Sequence, residues 1–356
     1  MRRNDSGFIL VAVLVALVVI SLLAAAVAVV SERAVAEAQA QNEAFRGEIA
    51  MASTRETLFY LLTSQRQTYG GLTVSDDQVW VAGQAIAERP VGDDDAGMSL
   101  LPVGNEIRLD GSPYVGLDGA GFALQDDAGR FSPNWTVDAF RPGFLSMLGI
   151  PPDTWAGLEA KRLDYQDPDS LYRVGGAETE QYLAAGLPPP SNQPLRTPLE
   201  LRVIPGWREA LASRDDAEVV SLLGASQSVL INVNTASADV LQSIPGVDPE
   251  TARRIVALRE NAPYILHWQF LEEFNLPLDD MAPVGMLAVP YGTMALWHNA
   301  GGAVHLLHWT LTPIDEGGRP WRIDYEIILP RDAVHDLDLA RTPQTPLFAQ
   351  PASTGD

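Results

Sequence analysis

The chain opens with an unbroken apolar segment from Phe8 to Val30, which contains no charged side chain and a single hydroxyl, that of Ser21. At about 1.5 Å per residue, a helix of this segment spans about 35 Å, enough to cross a bilayer. Arg2 and Arg3 precede it, and the positive-inside rule places such a basic end in the cytoplasm. The pattern therefore predicts a single-pass transmembrane helix, with the bulk of the chain on the opposite side of the membrane.

Beyond this segment, helix-forming residues continue from Ala34 to Thr63, with Gly47 as the only glycine and no proline. A cleaved secretory signal or a plain membrane anchor are simpler alternatives, but the length of the apolar run and this continuation disfavour the signal. The pattern predicts one long helix that reaches about Ser64. We expect the outer half to pack one apolar face on a domain through Phe45, Ile49, Ala52, Phe59 and Leu62.

The remainder of the chain changes character twice. Within 70–130, short apolar runs broken by glycine and aspartate predict strands and turns. Within 141–280, proline or polar starts followed by helical spacing predict short helices. Strand character returns within 294–329. This order predicts an α+β fold, in which a helical domain is inserted into a small domain of strands and one long helix.

Composition narrows the classes of function. The chain has 356 residues and a formal net charge of −22, and so acidic a protein does not suit a surface that tracks nucleic-acid phosphates. The absence of cysteine excludes disulfides, thiolate zinc sites and thiol nucleophiles. No metalloprotease spacing, phosphate-binding loop, dinucleotide fingerprint or Ser-His-Asp set stands out. We therefore expect no enzyme, because a membrane-anchored hydrolase would need a site that the sequence does not display.

Residues 231–259 have the pattern of a helix-hairpin-helix motif, in which two short helices are joined by a tight turn at Pro245 and Gly246. In many proteins the amides of such a hairpin hold a DNA phosphate, so a DNA-binding minor pilin of an uptake apparatus is the alternative function. Asp248 stands where DNA-binding hairpins carry a second glycine, and its charge would repel a phosphate. The pattern favours a hairpin that serves packing, with no nucleic acid as a partner.

Acidic residues crowd a second segment, where Asp164, Asp167 and Asp169 are followed by Glu178. Carboxylates this close repel one another unless they are solvated or neutralised, and oxygen ligands at alternate positions suit Ca²⁺. The spacing is not that of an EF-hand. Two interpretations stay open at this point, a calcium site and an exposed acidic loop.

Four features together resemble minor pseudopilin K of bacterial type II secretion systems, over residues 1–330. The first is a short basic leader that ends at Gly7 and Phe8, the junction at which prepilin leaders are cut. It lacks the glutamate usual at the fifth mature position, which here is Ala12. The other features are the D-x-x-D-P-D…GGAE segment, the LRVIPG turn, and INVNTAS ahead of the hairpin.

The resemblance implies a pilin-like fold with a long N-terminal transmembrane helix, a small antiparallel sheet and a large all-helical insertion domain. It implies a non-enzymatic subunit at the pseudopilus tip, which helps to initiate assembly and to export folded proteins from the periplasm across the outer membrane. The implied partners are minor pseudopilins I and J, the major pseudopilin, the prepilin peptidase and the inner membrane, with secreted proteins as further candidates. The implied cofactor is Ca²⁺, held by Asp164, Asp167, Asp169 and Glu178.

Pattern and resemblance together give the following boundaries: leader 1–7, transmembrane helix 8–30, its continuation 31–64, first part of the β domain 65–135, inserted helical domain 136–283, closing strands 284–330 and a flexible tail 331–356. The bulk of the chain after the transmembrane helix is expected in the periplasm.

We predict cleavage between Gly7 and Phe8, which leaves Phe8 as a methylated mature N-terminus by the same resemblance. Intact-mass spectrometry of the chain, isolated from the membrane of its host, measures the N-terminus directly. An uncut leader, or a cut near Ala26, would contradict the prepilin interpretation.

Overall fold

The computed structural model describes residues 6–74, 100–134, 138–226, 228–299, 301–312, 318–331, 341–343 and 345–348, with side chains from residue 10 onward. The first five residues of the predicted leader and most of the predicted tail lie outside this part of the chain. Two compact units are present, Met1–Ile49 and Ala50–Asp356.

The long N-terminal helix, α1, runs from Ser6 to Ser64. From Leu10 to Arg46 every side chain is exposed, and the apolar part of this segment is long enough to cross a membrane by length and composition. A buried stripe begins at Ala50 and continues through Thr54 and Leu58, each four residues from the last and therefore on one face.

The predicted contact face of α1 was partly wrong. Phe59 and Leu62 are buried, but Phe45 and Ile49 are exposed and so is Ala52. Ala52 lies two residues from both Ala50 and Thr54, about 200° around the helix from each, so it cannot share their face. The sequence pattern had the right period but the wrong phase and starting point.

The remaining elements are short. In chain order the other helices are α2 (Arg141–Met147), α3 (Trp155–Gln166), α4 (Thr179–Ala184), α5 (Trp207–Ala210), α6 (Asp216–Leu222), α7 (Ala238–Leu241), α8 (Pro249–Arg259) and α9 (His267–Glu273). The strands are β1 (Gln67–Thr68), β2 (Gly71–Leu72), β3 (Asp110–Val115), β4 (Ala120–Asp126), β5 (Ile231–Asn232), β6 (Val284–Gly285), β7 (Tyr291–His298), β8 (Val304–Leu311) and β9 (Trp321–Leu329).

An antiparallel sheet of five strands, in the order β3-β4-β7-β8-β9, forms the scaffold. One face of the sheet packs on the end of α1 through the apolar side chains Phe122, Leu124, Met294, Leu296, Leu307 and Trp309. The ring of Phe59 from α1 stacks on Trp321 of β9 with centroids 3.8 Å apart. This arrangement of a long helix and an antiparallel sheet confirms the predicted pilin-like α+β fold.

The helical insertion lies between β4 and β7, which pair directly with each other in the sheet. Its own core contains the stacked rings of Phe131 and Phe144, with centroids 3.8 Å apart, and the fully buried Trp207. The insertion is not all-helical as predicted, because β5 pairs in parallel with β6. The amides of Ile231 and Val233 donate to the carbonyls of Pro283 and Gly285, at 2.9 and 3.0 Å, which ties the interior of the insertion to its C-terminal end.

Asp126, the last residue of β4, joins the sheet to the insertion. Its carboxylate is 1% exposed and accepts four hydrogen bonds. The donors are the amides of Ala128 at 3.2 Å and Val289 at 3.0 Å, and the side chains of Asn232 and Thr235 at 2.8 Å each. Burial raises the pKa of Asp126 to about 6, although these hydrogen bonds favour the charged form.

The burial of Asp126 predicts a pH-dependent stability. Because its folded-state pKa of about 6 lies above the model-peptide value of 3.8, its contribution is present below pH 3.8 and is lost as the pH rises through about 6. In the Asp126→Asn variant this titration is absent. The new side-chain NH2 group would also face the NH2 group of Asn232, so that two donors meet without an acceptor.

We therefore expect the stability advantage of the wild type over Asp126→Asn to shrink by about 3 kcal/mol between about pH 4 and about pH 7. Urea unfolding of both chains in a mild detergent, followed by tryptophan fluorescence at several pH values, measures this difference. Parallel curves for the two chains would show that Asp126 does not titrate in this range.

Candidate metal site and the helix-hairpin-helix motif

The acidic segment forms the loop between α3 and α4. Asp167 follows the last residue of α3, and Glu178 immediately precedes the first residue of α4. Together with the exposed Asp169, they place one carboxylate oxygen each within 4.8 Å of one another. The structure thus brings together three of the four predicted metal ligands in a single cluster.

Asp164, the fourth predicted ligand, is not part of that cluster. Its fully buried carboxylate accepts hydrogen bonds from Arg173 Nη1 at 2.7 Å and from the amide of Ala177 at 3.0 Å. Gly176 comes so close that a Cβ there would lie 1.9 Å from Asp164 Oδ2, which explains why glycine is required. Asp164 therefore holds the returning half of the loop against α3.

Two members of the cluster carry carboxylate oxygens with unmet hydrogen-bonding capacity. Oδ1 of Asp167 and both oxygens of Glu178 are buried without a well-formed hydrogen bond among the described residues, although the Glu178 side chain faces the first-turn amides of α4. Burial raises the pKa of Glu178, and the negative charges of Asp164, Asp167 and Asp169 raise it further. A buried carboxylate with too few donors is costly, so this arrangement calls for a cation.

Arg173 supplies part of the opposing charge, and sequence reasoning missed it. Its Nη1 pairs with both Asp164 and Asp167, and these hydrogen bonds raise the pKa of Arg173. The signal was available, because Arg173 is the only basic residue between Asp164 and Glu178. One guanidinium against four carboxylates leaves an excess of negative charge at the loop.

The donor set of the cluster fits a hard cation such as Ca²⁺. Asp167, Asp169 and Glu178 offer oxygen ligands from one loop, and Ca²⁺ accepts six to eight oxygens, with carbonyls and water completing the shell. Oδ1 of Asp169 also accepts from the amide of Leu171 at 2.7 Å, which holds this exposed side chain against its own loop.

The predicted hairpin lies between α7 and α8. Gly246 has a φ of +87°, and a Cβ on it would lie 2.5 Å from Cδ of Pro277, so the turn packs closely on the chain after α9. Pro245 is half-buried beside it. This contact is what a packing hairpin requires.

The N-terminus of α8 is already occupied by an anion of the chain itself. The carboxylate of Asp248 accepts a hydrogen bond from the amide of Thr251 at 2.7 Å, and this bond lowers the pKa of Asp248. A phosphate approaching the same amides would meet that negative charge. The geometry favours packing over DNA binding.

At the predicted processing site, the structure describes only the backbone. Gly7 and Phe8 both lie within α1.

Comparison with known families identifies two segments. Residues 226–273 match a family of helix-hairpin-helix motifs. Residues 135–216 match the family described as type II secretion system (T2SS), protein K. The resemblance to protein K is confirmed over these residues. They include α3, α4 and the whole acidic loop between them.

Among solved structures, the crystal structure of the GspK-GspI-GspJ complex from the type 2 secretion system of enterotoxigenic Escherichia coli is similar, with 18% sequence identity and a TM-score of 0.43. The match covers 61% of this chain and 83% of that chain. No curated protein matches the chain.

The hairpin geometry predicts different costs for two glycine substitutions in the insertion. Gly149→Ala changes a glycine at φ +73° with open space around its Cβ, so it reports backbone strain of about 1 kcal/mol. Gly246→Ala adds the contact with Pro277, and we expect it to lower the free energy of unfolding by at least about 1 kcal/mol more. Urea unfolding of both variants measures the difference, and equal costs would mean that the hairpin does not pack as described.

Proposed function

We propose that this protein is a minor pseudopilin of a type II secretion system, a non-enzymatic subunit at the tip of the pseudopilus. In this role it helps to initiate pseudopilus assembly and the export of folded proteins from the periplasm across the outer membrane. The observation that carries the proposal is the match of residues 135–216 to protein K, because the acidic loop singled out from the sequence lies inside it. The long apolar helix and the pilin-like sheet support it.

In the proposed arrangement, α1 anchors the chain in the inner membrane with its N-terminus in the cytoplasm and the rest in the periplasm. The prepilin peptidase removes the leader, and minor pseudopilins I and J and the major pseudopilin contact the mature subunit. Ala12 suits a tip position. A carboxylate at that depth is costly in lipid unless a neighbouring subunit's N-terminal amine pairs with it, and a tip subunit has no neighbour beyond it.

We further propose that the acidic loop binds Ca²⁺ through Asp167, Asp169 and Glu178, while Asp164 and Arg173 position the loop. The unpartnered buried oxygens of Asp167 and Glu178 support this assignment. Bound calcium would neutralise the cluster and hold the ends of α3 and α4 together. A ligand that binds only the folded chain adds about 2.7 kcal/mol to its stability at a hundredfold excess over Kd.

The calcium proposal predicts that a chelator lowers the thermal unfolding temperature of the wild-type chain and that added Ca²⁺ restores it. Asp169→Asn should abolish this calcium-dependent shift with little loss of stability in chelator, because Asp169 is exposed. Asp164→Asn is the matched control: it weakens the bonds to Arg173 and Ala177, so it should destabilise the chain with or without calcium. If the chelator does not change the unfolding temperature of the wild type, the loop does not bind calcium and is a solvated acidic surface.

Deletion of the gene in its host, with complementation in trans, tests the secretory role. We expect the deletion to leave secreted proteins in the periplasm, and the wild-type chain to restore their export. Uptake of external DNA by the same strains separates the alternative function. Normal secretion together with lost DNA uptake would overturn the proposal in favour of a DNA-binding minor pilin.

A further inference from the structure

His308 of β8 is a buried histidine with a carboxylate beside each of its ring nitrogens. Its Nδ1 lies 2.8 Å from Oδ2 of Asp324 on β9, and its Nε2 lies 3.4 Å from Oδ2 of Asp127 in the turn after β4. The side chain of His308 is 7% exposed, and that of Asp127 is fully buried. One imidazole ring thus connects the last strand of the sheet to the beginning of the insertion.

A β-bulge in β9 brings Asp324 to this position. His308 pairs with Tyr325 and Trp309 pairs with Ile323, so the register skips Asp324. Without this extra residue, side chains would alternate strictly, and Asp324 would stand beside Trp309 on the face that packs on α1. The bulge turns the carboxylate to the other face, where the ring of Tyr325 also stacks on His308 with centroids 4.9 Å apart.

The two contacts require two protons on the ring of His308. A neutral imidazole has one N–H group and one lone pair, whereas an imidazolium donates from both nitrogens. In either neutral tautomer, one nitrogen would turn its lone pair toward a carboxylate oxygen in a site with little water, which is unfavourable. Both contacts are therefore hydrogen bonds only when His308 is charged.

The carboxylates on both sides of the ring favour this charged form. Burial opposes protonation of His308, but the hydrogen bonds to Asp127 and Asp324 raise its pKa. Burial likewise opposes ionisation of Asp324, but hydrogen bonds from His308, Thr310 and Arg322 lower its pKa to about 2. The carboxylate of Asp324 is therefore ionised throughout the range in which histidine titrates.

Two arginines stand on the outer sides of the same carboxylates. Nη1 of Arg130 lies 3.7 Å from Oδ1 of Asp127, and Nε of Arg322 lies 2.6 Å from Oδ1 of Asp324. The buried Arg130 shares Asp127 with the imidazolium, whereas Arg322 is 64% exposed and water screens its charge. Arginine keeps its charge near neutral pH, so the proton of His308 is what changes there. The other ionisable groups near the network are two phenols, whose pKa values are raised by burial: Tyr291 and Tyr325.

We propose that protonated His308 is a pH-dependent bridge, which holds β9 to the first turn of the insertion through Asp324 and Asp127 and releases β9 when the proton is lost. Because the folded-state pKa of His308 is raised, this contribution to stability is complete below the unfolded value of about 6.5 and is lost as the pH rises through the folded-state value. The strand loosens first at β9, since it pairs only with β8 in the described sheet.

The ring nitrogens of His308 report this proton directly. In the full chain, labelled with ¹⁵N-histidine and held in a mild detergent, we expect both nitrogens to be predominantly protonated at about pH 6.5, where an unperturbed histidine is half protonated. The signals are assigned through His308→Gln. Asp324→Asn keeps an acceptor near Nδ1 but removes the charge, so the ring should lose its second proton at a lower pH than in the wild type.

Hydrogen exchange shows whether the proton holds β9. The protection of the amides of Trp321–Leu329, divided by that of Tyr291–His298 in β7, should fall at least about threefold between about pH 6.5 and about pH 8.5 in the wild type. The ratio should stay constant in His308→Gln. His305→Gln is the matched control, because His305 also contacts a carboxylate of β9, that of Glu326 at 2.7 Å, but solvent reaches both side chains. An exposed pair adds little, so this variant should show the same fall as the wild type.

The proposal is overturned if His308 is predominantly neutral at about pH 6.5, or if the wild-type exchange ratio does not change with pH. A fall of the same size in His308→Gln would assign the pH dependence to another group and would overturn the proposal as well. Should His308→Gln not fold, Asp324→Asn serves for the assignment, and the ring signals and exchange ratio of the wild type still decide the question.

Discussion

The fold depends on a carboxylate that is buried without a cation among its described contacts. Asp126 is stabilised only by hydrogen-bond donors, and these come from the turn after β4, the segment at and just after β5 in the interior of the insertion, and the segment that leads into β7. None of the three segments can be withdrawn without leaving acceptors unmet in a dry site, which is expensive. Pairing β4 with β7 across a long insertion carries a loop-closure cost. The hydrogen bonds of Asp126 to Ala128 and Val289 offset part of it, because they hold the beginning and the end of the insertion together.

Three of the buried acids that the structure describes are surrounded in different ways, and the differences separate architecture from function. Asp126 uses neutral donors, and Asp164 uses backbone amides together with Arg173. Glu178 has only the first-turn amides of α4 beside it, and neither of its oxygens makes a well-formed hydrogen bond among the described residues. Only the arrangement around Glu178 leaves negative charge for an added cation to neutralise. The acidic loop, and not the surroundings of Asp126, is therefore the candidate metal site.

Local patterns predicted the fold class and many elements because each depends on neighbours in sequence. The end of α1 and the strands within 294–329 follow from helix-forming composition and from short apolar runs, and glycine with proline marks the hairpin. The sequence did not show which face of α1 is buried. Phe45 and Ala52 have helical spacing, but the residues that pack against the helix are distant in sequence. The β5-β6 pair escaped prediction because a two-residue parallel pair leaves almost no pattern.

The sequence predicted which acidic residues belong to the candidate site, but not which of them cluster and which one positions the loop. Four acids in one segment indicate a shared environment, but which of them face each other depends on how the loop returns after Gly176. Asp164 is separated from the others by its position in the last turn of α3, where the amide of Ala177 can reach it. The match to protein K covers residues 135–216 and therefore includes this acidic loop.

Native-state hydrogen exchange tests most directly the claim that the sheet and the insertion unfold together as one cooperative unit. The amide of Val233 reports the insertion, where it donates to Gly285, and that of Leu296 reports the sheet, where Leu296 lies between β4 and β8. The account predicts that the two amides exchange with the same opening free energy and the same denaturant dependence, because neither part opens alone. Exchange of Val233 at a clearly lower free energy than Leu296 would show that the insertion unfolds independently, and would contradict it.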